Sequence, residues 1–419
     1  MKVYKAHIIH TPQRNQFEVI ENGYIAVDKG RVCGISTSLD TLGCPDAEVV
    51  DYGNKLLIPA MNDIHVHAAQ YHNQGIAMDL ELLPWLENYT FPEELKFSDI
   101  DYAERIYRRF IHHLWRMGTM RAAVFATIHT AGTRRLMELF NEAGMGALVG
   151  KVAMNRNCPA SLTETVDDYV RGMEELAMSY GNQDALVRPI ITPRFIPTCT
   201  PELLRACADI AHRHNLPVQS HLSENPSEIA LVRELEPDSK GYGDAYHRYG
   251  LFGQTPTVMA HCVWSDADER RLMRENDVMV AHCPSSNFNV SSGMAPIRTF
   301  LEEGITVGLG SDISAGHDLS IFRMMVYAIQ VSKMQYRHSN MPFLTLSEVF
   351  WMATKAGGSL FGKVGSFEKD YDFDALVIDD HDLYPDEYTV LQRLERFIYT
   401  GDDRQIAHRF CRGTEIVLD

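Results

Sequence analysis

KLLIPAMNDIHVH, residues 55–67, is the stretch on which the reading of the fold turns. Residues 55–64 read as an apolar, strand-like run that ends on His65-Val66-His67. Side chains two apart on a strand point the same way, so both imidazoles can reach one metal ion. Taken alone, H-x-H is a weak signal that arises often by chance. Its weight comes from what the rest of the chain repeats.

Similar runs recur at 120–126, 147–153, 187–192, 216–220, 257–260, 277–281 and 305–309, separated by amphipathic helical patterns. Eight strand-then-helix repeats predict an α/β chain built on a (β/α)8 TIM barrel. Helix starts are marked by Thr200-Pro201-Glu202, a cap before a first-turn proline, and by the capping box Thr345 to Glu348. Both ends of the chain look different. Residues 24–32 read as a hairpin, and 374–378 and 415–418 as further strands. The expected organisation is a small β-sandwich domain formed by both termini, 1–57 and 367–419, around a barrel at 58–366.

Catalytic groups of such barrels sit at the C-terminal strand ends. His65 and His67 close the first strand, His221 the fifth, His261 the sixth and Asp312 the eighth. His221 alone reads as a satisfied core histidine. Together, three imidazoles and a carboxylate suit one zinc ion, with iron or manganese also able to use these donors. Glu224, three residues past His221, supplies a proton acceptor beside a metal-activated water. The bland alternative is that Glu224 caps the helix starting at Pro226. His261 is expected to steady the nucleophile or a developing oxyanion, against the alternative of a packed core histidine.

Composition narrows the function. The 419 residues carry 39 Lys and Arg against 56 Asp and Glu, a formal charge of −17, with no long basic run. A nucleic-acid partner is therefore not expected, and a small substrate is. Eight cysteines form no C-x-x-C pair and read as reduced thiols of a cytosolic protein. The first residues lack a signal-peptide pattern, and no apolar run reaches the roughly 18–20 residues of a membrane helix. The expectation is a soluble, cytoplasmic protein without a membrane partner. The H-x-E and P-C-x-x-C signature of other zinc deaminases is absent.

The strand-end pattern resembles the amidohydrolase superfamily along the whole chain. Several segments resemble its guanine deaminase family: His67-Ala68-Ala69-Gln70, Trp85-Leu86-x-x-Tyr89-Thr90-Phe91-Pro92, Phe125 to Thr130, Thr192-Pro193-Arg194-Phe195, Ser220 to Asn225, and His282-Cys283-Pro284-x-Ser286-Asn287. The resemblance implies zinc on His65, His67, His221 and Asp312. It implies Glu224 and Asp312 as proton shuttles, His261 beside the nucleophile, Gln70 and Arg194 as guanine contacts, and Phe195 lining the pocket. It also suggests a homodimer.

Two departures stand out: Cys262 follows His261 where many relatives have glycine, and Ser311 precedes Asp312 where threonine is common. Binuclear members carry a lysine after the fourth strand. Here that strand ends Pro193-Arg194-Phe195, which favours one metal, and Lys151 on the third strand reads as structural. Arg194 could donate twice to the lactam oxygen and a neighbouring acceptor, and Gln70 could pair with a ring N–H and a ring nitrogen. The alternatives are a salt bridge for Arg194 and a rim hydrogen bond for Gln70. Trp85, Tyr89 and Phe91 read first as core, and second as a lid on a planar base. The expected reaction is guanine to xanthine and ammonia. Rival readings are deamination of another heterocycle (8-oxoguanine, a pterin, cytosine or a triazine), or an inactive barrel serving as a scaffold.

Overall fold

The structure, a computed structural model, describes residues 1–418. Both chain ends build one sheet. β1 (Lys2–Gln13), β2 (Gln16–Asp28), β3 (Arg31–Ser36) and β4 (Glu48–Pro59) open the chain. The β2–β3 connection is the predicted hairpin: Asp28 pairs with Arg31 across Lys29 and Gly30. Both central residues have positive φ, 49° and 79°, as a tight mirror-image turn requires. A Cβ on Gly30 would come within 2.3 Å of the Arg412 carbonyl oxygen, so glycine is also required by the close approach of the C-terminal segment.

The body follows, with β5 (Met61–His67), β6 (Thr119–Phe125), β7 (Gly146–Gly150), β8 (Val152–Ala153), β9 (Val187–Pro189), β10 (Thr192–Pro193), β11 (Val218–Leu222), β12 (Thr257–His261), β13 (Met279–His282) and β14 (Val307–Leu309). The chain returns to the terminal sheet through β15 (Ala375–Ile378), β16 (Ile406–Cys411) and β17 (Thr414–Glu415). That sheet has the order β17-β16-β15-β4-β1-β2-β3. It is a single seven-stranded sheet where a two-sheet sandwich was expected. The difference lies in non-local pairing: β4 lies between β1 and β15, and so joins N- and C-terminal strands edge to edge.

The predicted run 55–64 also divides in two. Its first half belongs to β4 in the terminal sheet and its second half opens β5 in the body. The break falls at Ala60, just after Pro59, the last paired residue of β4.

The body strands form two four-stranded parallel sheets, β5-β6-β7-β9 and β11-β12-β13-β14, with β8 and β10 as a short parallel pair. The expected closed barrel is not drawn by continuous ladders among the described residues, and the reason can be read at each seam. At the first, Pro189, Pro193 and Pro217 withhold donors, and a single bridge joins Ile191 to Val218. Two hydrogen bonds nonetheless cross it, Ile191 N to Pro217 O at 2.8 Å and Gln219 N to Ile191 O at 2.9 Å. At the second seam the Asp63 carboxylate, not a main-chain carbonyl, accepts the Ser311 N–H at 3.0 Å. Beyond it Asp312 N reaches His65 O at 2.9 Å and His67 N reaches Ile313 O at 3.0 Å.

Helices cover the outer faces of these strands. In the helix Ile100–Arg116, Ala103, Ile106, Tyr107, Phe110, Ile111 and Leu114 form one buried stripe at helical spacing, and the Asp99 side chain caps the first turn. Both predicted helix starts carry their caps, Thr200 and the Thr345–Glu348 box. A buried ion network ties the terminal sheet to the body. Arg121 of β6 donates to Asp374 at 2.6 Å and 3.2 Å and to Asp372 at 3.0 Å. All eight cysteines are unpaired. No helix among the described residues is long and apolar enough to cross a membrane.

Candidate active site

The strand ends bring the predicted histidines and carboxylates to one place. His67, His221, Glu224, His261 and Asp312 line one cavity with Gln70, Arg194 and Phe195, and His65 lies buried beneath them. Nε2 of His67 lies 3.3 Å from Nε2 of His65 and 3.2 Å from Nε2 of His221. Oδ1 of Asp312 lies 3.2 Å from Nε2 of His65 and 3.3 Å from Nε2 of His67. Donors about 2.0–2.1 Å from a tetrahedral ion are separated by about 3.3–3.4 Å, so this spacing matches the edges of such a site.

Protonation agrees with that fit. Nδ1 of His221 faces the Arg194 carbonyl oxygen at 2.6 Å. A carbonyl only accepts, so Nδ1 carries the proton and Nε2 presents a lone pair to the cluster. Burial, and then the neighbouring imidazoles, hold His221 well below the usual histidine range. Burial likewise lowers His65, and takes His67 down to about 4. Burial opposes ionisation of Asp312, but the flanking His65 and His67 outweigh it and hold its carboxyl well below the carboxylate range. Neutral imidazoles and an ionised carboxylate are the forms that bind a cation. Two overlapping groups that share His65 could each hold a metal ion: His65, His67 and Asp312, and His65, His221 and His261.

Second partners aim these groups. The Ser286 hydroxyl donates to Asp312 Oδ2 at 2.5 Å, and Ser292 donates to Glu224 Oε1 at 2.8 Å. Asn287 Oδ1 lies 3.0 Å from His261 Nδ1, which turns Nε2 of that ring toward Glu224 Oε2 at 3.5 Å and Asp312 Oδ2 at 3.8 Å. Burial, and then the Asp312 charge, push Glu224 up to about 8. Glu224 does not cap the following helix: Asn225 does, with Glu228 completing the box.

Backbone strain gathers at the same strand ends. His261, Cys262 and Asp312 take φ of 70°, 51° and 50°, the left-handed region that non-glycine residues rarely occupy. Cys262 therefore stands where the backbone conformation favours glycine.

Arg194 and Gln70 meet on a residue that the sequence reading missed. Nη1 of Arg194 donates to Glu94 at 2.9 Å and 2.7 Å, and Gln70 Nε2 donates to the same carboxylate at 2.9 Å. Gln70 Oε1 accepts the Ser314 N–H at 3.2 Å. The salt-bridge alternative for Arg194 is thus present together with a place on the cavity wall. The resembling segment stopped at Pro92, two residues short of Glu94, and no spacing pattern marked it.

Trp85 lines the cavity and is buried, Phe91 lies under the Arg194 guanidinium at 5.2 Å, and Tyr89 is exposed. The aromatic segment is thus core at Trp85 and Phe91, and surface at Tyr89. Lys151 is fully buried, ion-paired to Glu164 and 5.1 Å from the centre of the Tyr169 ring.

The Amidohydrolase family model matches residues 56–416. Guanine deaminase of Dictyostelium discoideum is 36% identical, over 99% of this chain and 98% of its own. Guanine deaminase of Homo sapiens is 35% identical, over 87% of this chain and 83% of its own. The crystal structure of guanine deaminase from C. acetobutylicum, with guanine bound in its active site, has a TM-score of 0.98 and 50% identity, covering 99% of this chain and 100% of that one. With the match running over residues 56–416, most of its length, the chain belongs to the amidohydrolase family.

Proposed function

We propose that the protein hydrolyses guanine to xanthine and ammonia, with a zinc ion held by His65, His67, His221 and Asp312. The observation that carries this reading is the set of four donor atoms, four of whose six separations are 3.2–3.3 Å, beside a cavity that has Gln70 and Arg194 on its wall. The guanine deaminase relatives, one of them with guanine bound, support the substrate. The four-donor set of three imidazoles and one carboxylate supports zinc over harder ions that prefer all-oxygen sites. We also read the two parallel sheets as halves of one (β/α)8 barrel flanked by the terminal-sheet domain. In support, Ile64 and Ala123 of one sheet share an interior cluster with Val258 and Ala281 of the other, and Gln219 of β11 donates to Val124 O of β6.

A divalent ion in this site supplies Lewis-acid chemistry that makes water acidic enough to attack near neutral pH. The chain's own groups do the rest. Arg194 and Gln70 hold the polar edge of the flat base, and Phe195 packs against the ring. Glu224, with a raised pKa, takes a proton from the attacking water and delivers it to the ring nitrogen beside the amine-bearing carbon. His261 steadies the oxygen as the carbon becomes tetrahedral. Asp312, aligned by Ser286, takes the remaining proton from the hydroxyl on the tetrahedral carbon and passes it to the amine; the carbon–nitrogen bond breaks, and ammonia leaves as the carbonyl of xanthine forms.

The test is ammonia release from guanine beside adenine, cytosine, 8-oxoguanine and isoxanthopterin. Glu224→Gln is expected to abolish turnover while the metal content stays that of the unsubstituted protein. Full activity in that variant refutes the assignment.

A further inference from the structure

Glu94 belongs to the short helix Phe91–Leu95 and is buried. One carboxylate there serves two partners from distant parts of the chain, Gln70 and Arg194. Its Oε1 accepts from both, and its Oε2 accepts from Arg194. Phe91, three residues earlier, supports the guanidinium from the side. Gln70 has its amide oriented from both ends: the NH2 faces a carboxylate and the oxygen faces the Ser314 N–H, so no flip is tolerated. Arg194 spends only Nη1 on Glu94, and no side-chain bond among the described residues uses its Nε or Nη2.

We infer that Glu94 is a positioning residue which locks Gln70 and Arg194 into one charge-balanced edge, and so selects a neutral purine over an anionic one. This rests on the guanine reading above and deepens it. A buried guanidinium with no counter-charge pulls strongly on any anion, because the low dielectric strengthens the attraction. Paired with Glu94, Arg194 still offers directional N–H groups, but the edge carries no net charge. Guanine is neutral and benefits from the donors. Urate is an anion of the same ring system, and it loses the extra attraction that an unpaired arginine would give.

Ammonia release from guanine by the unsubstituted protein is measured first, and its absence overturns the substrate reading itself. Glu94→Gln then removes the charge and keeps the shape. Losing a charge-assisted hydrogen-bond pair is expected to raise KM for guanine about tenfold to a hundredfold, with kcat within about threefold. Inhibition by urate is expected to tighten about tenfold in the same variant, as the site gains a net positive charge. Glu94→Asp keeps the charge and is expected to keep urate inhibition at its original strength.

A purely structural Glu94 would lower the melting temperature in Glu94→Gln without moving the ratio of urate to guanine binding, and that result overturns the inference. Should Glu94→Gln fail to fold, the unsubstituted protein decides: it is expected to bind urate at least about tenfold more weakly than neutral hypoxanthine. Equal or tighter urate binding overturns the inference.

Discussion

Asp63 offers a sharp test of how the site is held together. It sits two residues before His65, and its carboxylate accepts from His65 N at 3.3 Å, Ser311 N at 3.0 Å and the Ser311 hydroxyl. It thus fastens the turn bearing Asp312 to the strand bearing His65 and His67. Asp63→Ala strands two buried N–H groups and one hydroxyl. Each stranded donor costs about 1–3 kcal/mol, so the three together cost about 3–9 kcal/mol. Burial works in the opposite direction: it disfavours the charged carboxylate and lifts its pKa to about 7, so removing the group returns part of that cost. The net loss is expected at about 2–4 kcal/mol.

Over 419 residues the unfolding entropy is about 0.9 kcal/mol/K, so the melting temperature is expected to fall by about 2–4 °C in calorimetry. The larger effect is expected in function, because Asp312 loses the anchor of its turn. Metal affinity or kcat/KM is expected to fall about tenfold to a hundredfold. Asp63→Asn keeps an acceptor for the two backbone N–H groups and can turn its NH2 to the Ser311 oxygen, so it is expected to stay within about 1 °C of the original. If Asp63→Ala melts at the original temperature with full metal content and full kcat/KM, the seam is held by other contacts and the reasoning is wrong.

Two further outcomes can be measured. Asn287→Leu removes the acceptor for His261 Nδ1 and leaves the ring free to turn; kcat is expected to fall about tenfold with KM little changed in steady-state assays of ammonia release. Arg121→Met removes one side of a buried ion network and leaves Asp374 without its guanidinium, while Asp372 keeps Arg412 at 2.8 Å and Arg31 at 3.4 Å. The expected loss is about 3–5 kcal/mol, or about 3–6 °C in calorimetry, with most of it recovered when Asp374 is also made asparagine.

What the sequence made legible follows from the range of each interaction. The i, i+2 histidine pair on β5 and the histidines and aspartate at later strand ends are local patterns on a repeating unit. Their convergence follows from the rule that such units point their C-terminal strand ends one way. Caps at Thr200 and Thr345 were readable for the same reason: each is settled within three or four residues. The terminal sheet was readable as strands but not as an arrangement. Nothing in 48–59 says that its neighbours are β1 on one side and β15, more than 300 positions later, on the other. The division after Pro59 has a local mark, a proline near the end of the first strand, but nothing in 55–64 says that the two halves enter different sheets.

Glu94 shows where reading by motif stops and why. Its two partners lie 24 and 100 residues away, so no window of sequence holds all three. Burial logic narrows the search all the same. An arginine on the wall of a cavity cannot shed its proton, and a buried unpaired guanidinium is too costly to stand alone. With Arg194 following β10 and buried on the cavity wall, a nearby carboxylate is required. The acidic pair Glu93-Glu94, following the aromatic segment next to the site, was the natural place to look. Glu93 is taken by Lys96 and Tyr102, at the periphery of the same segment. That leaves Glu94 to balance the charge, so Gln70 and Arg194 on the cavity wall are joined through a residue that carries no motif of its own.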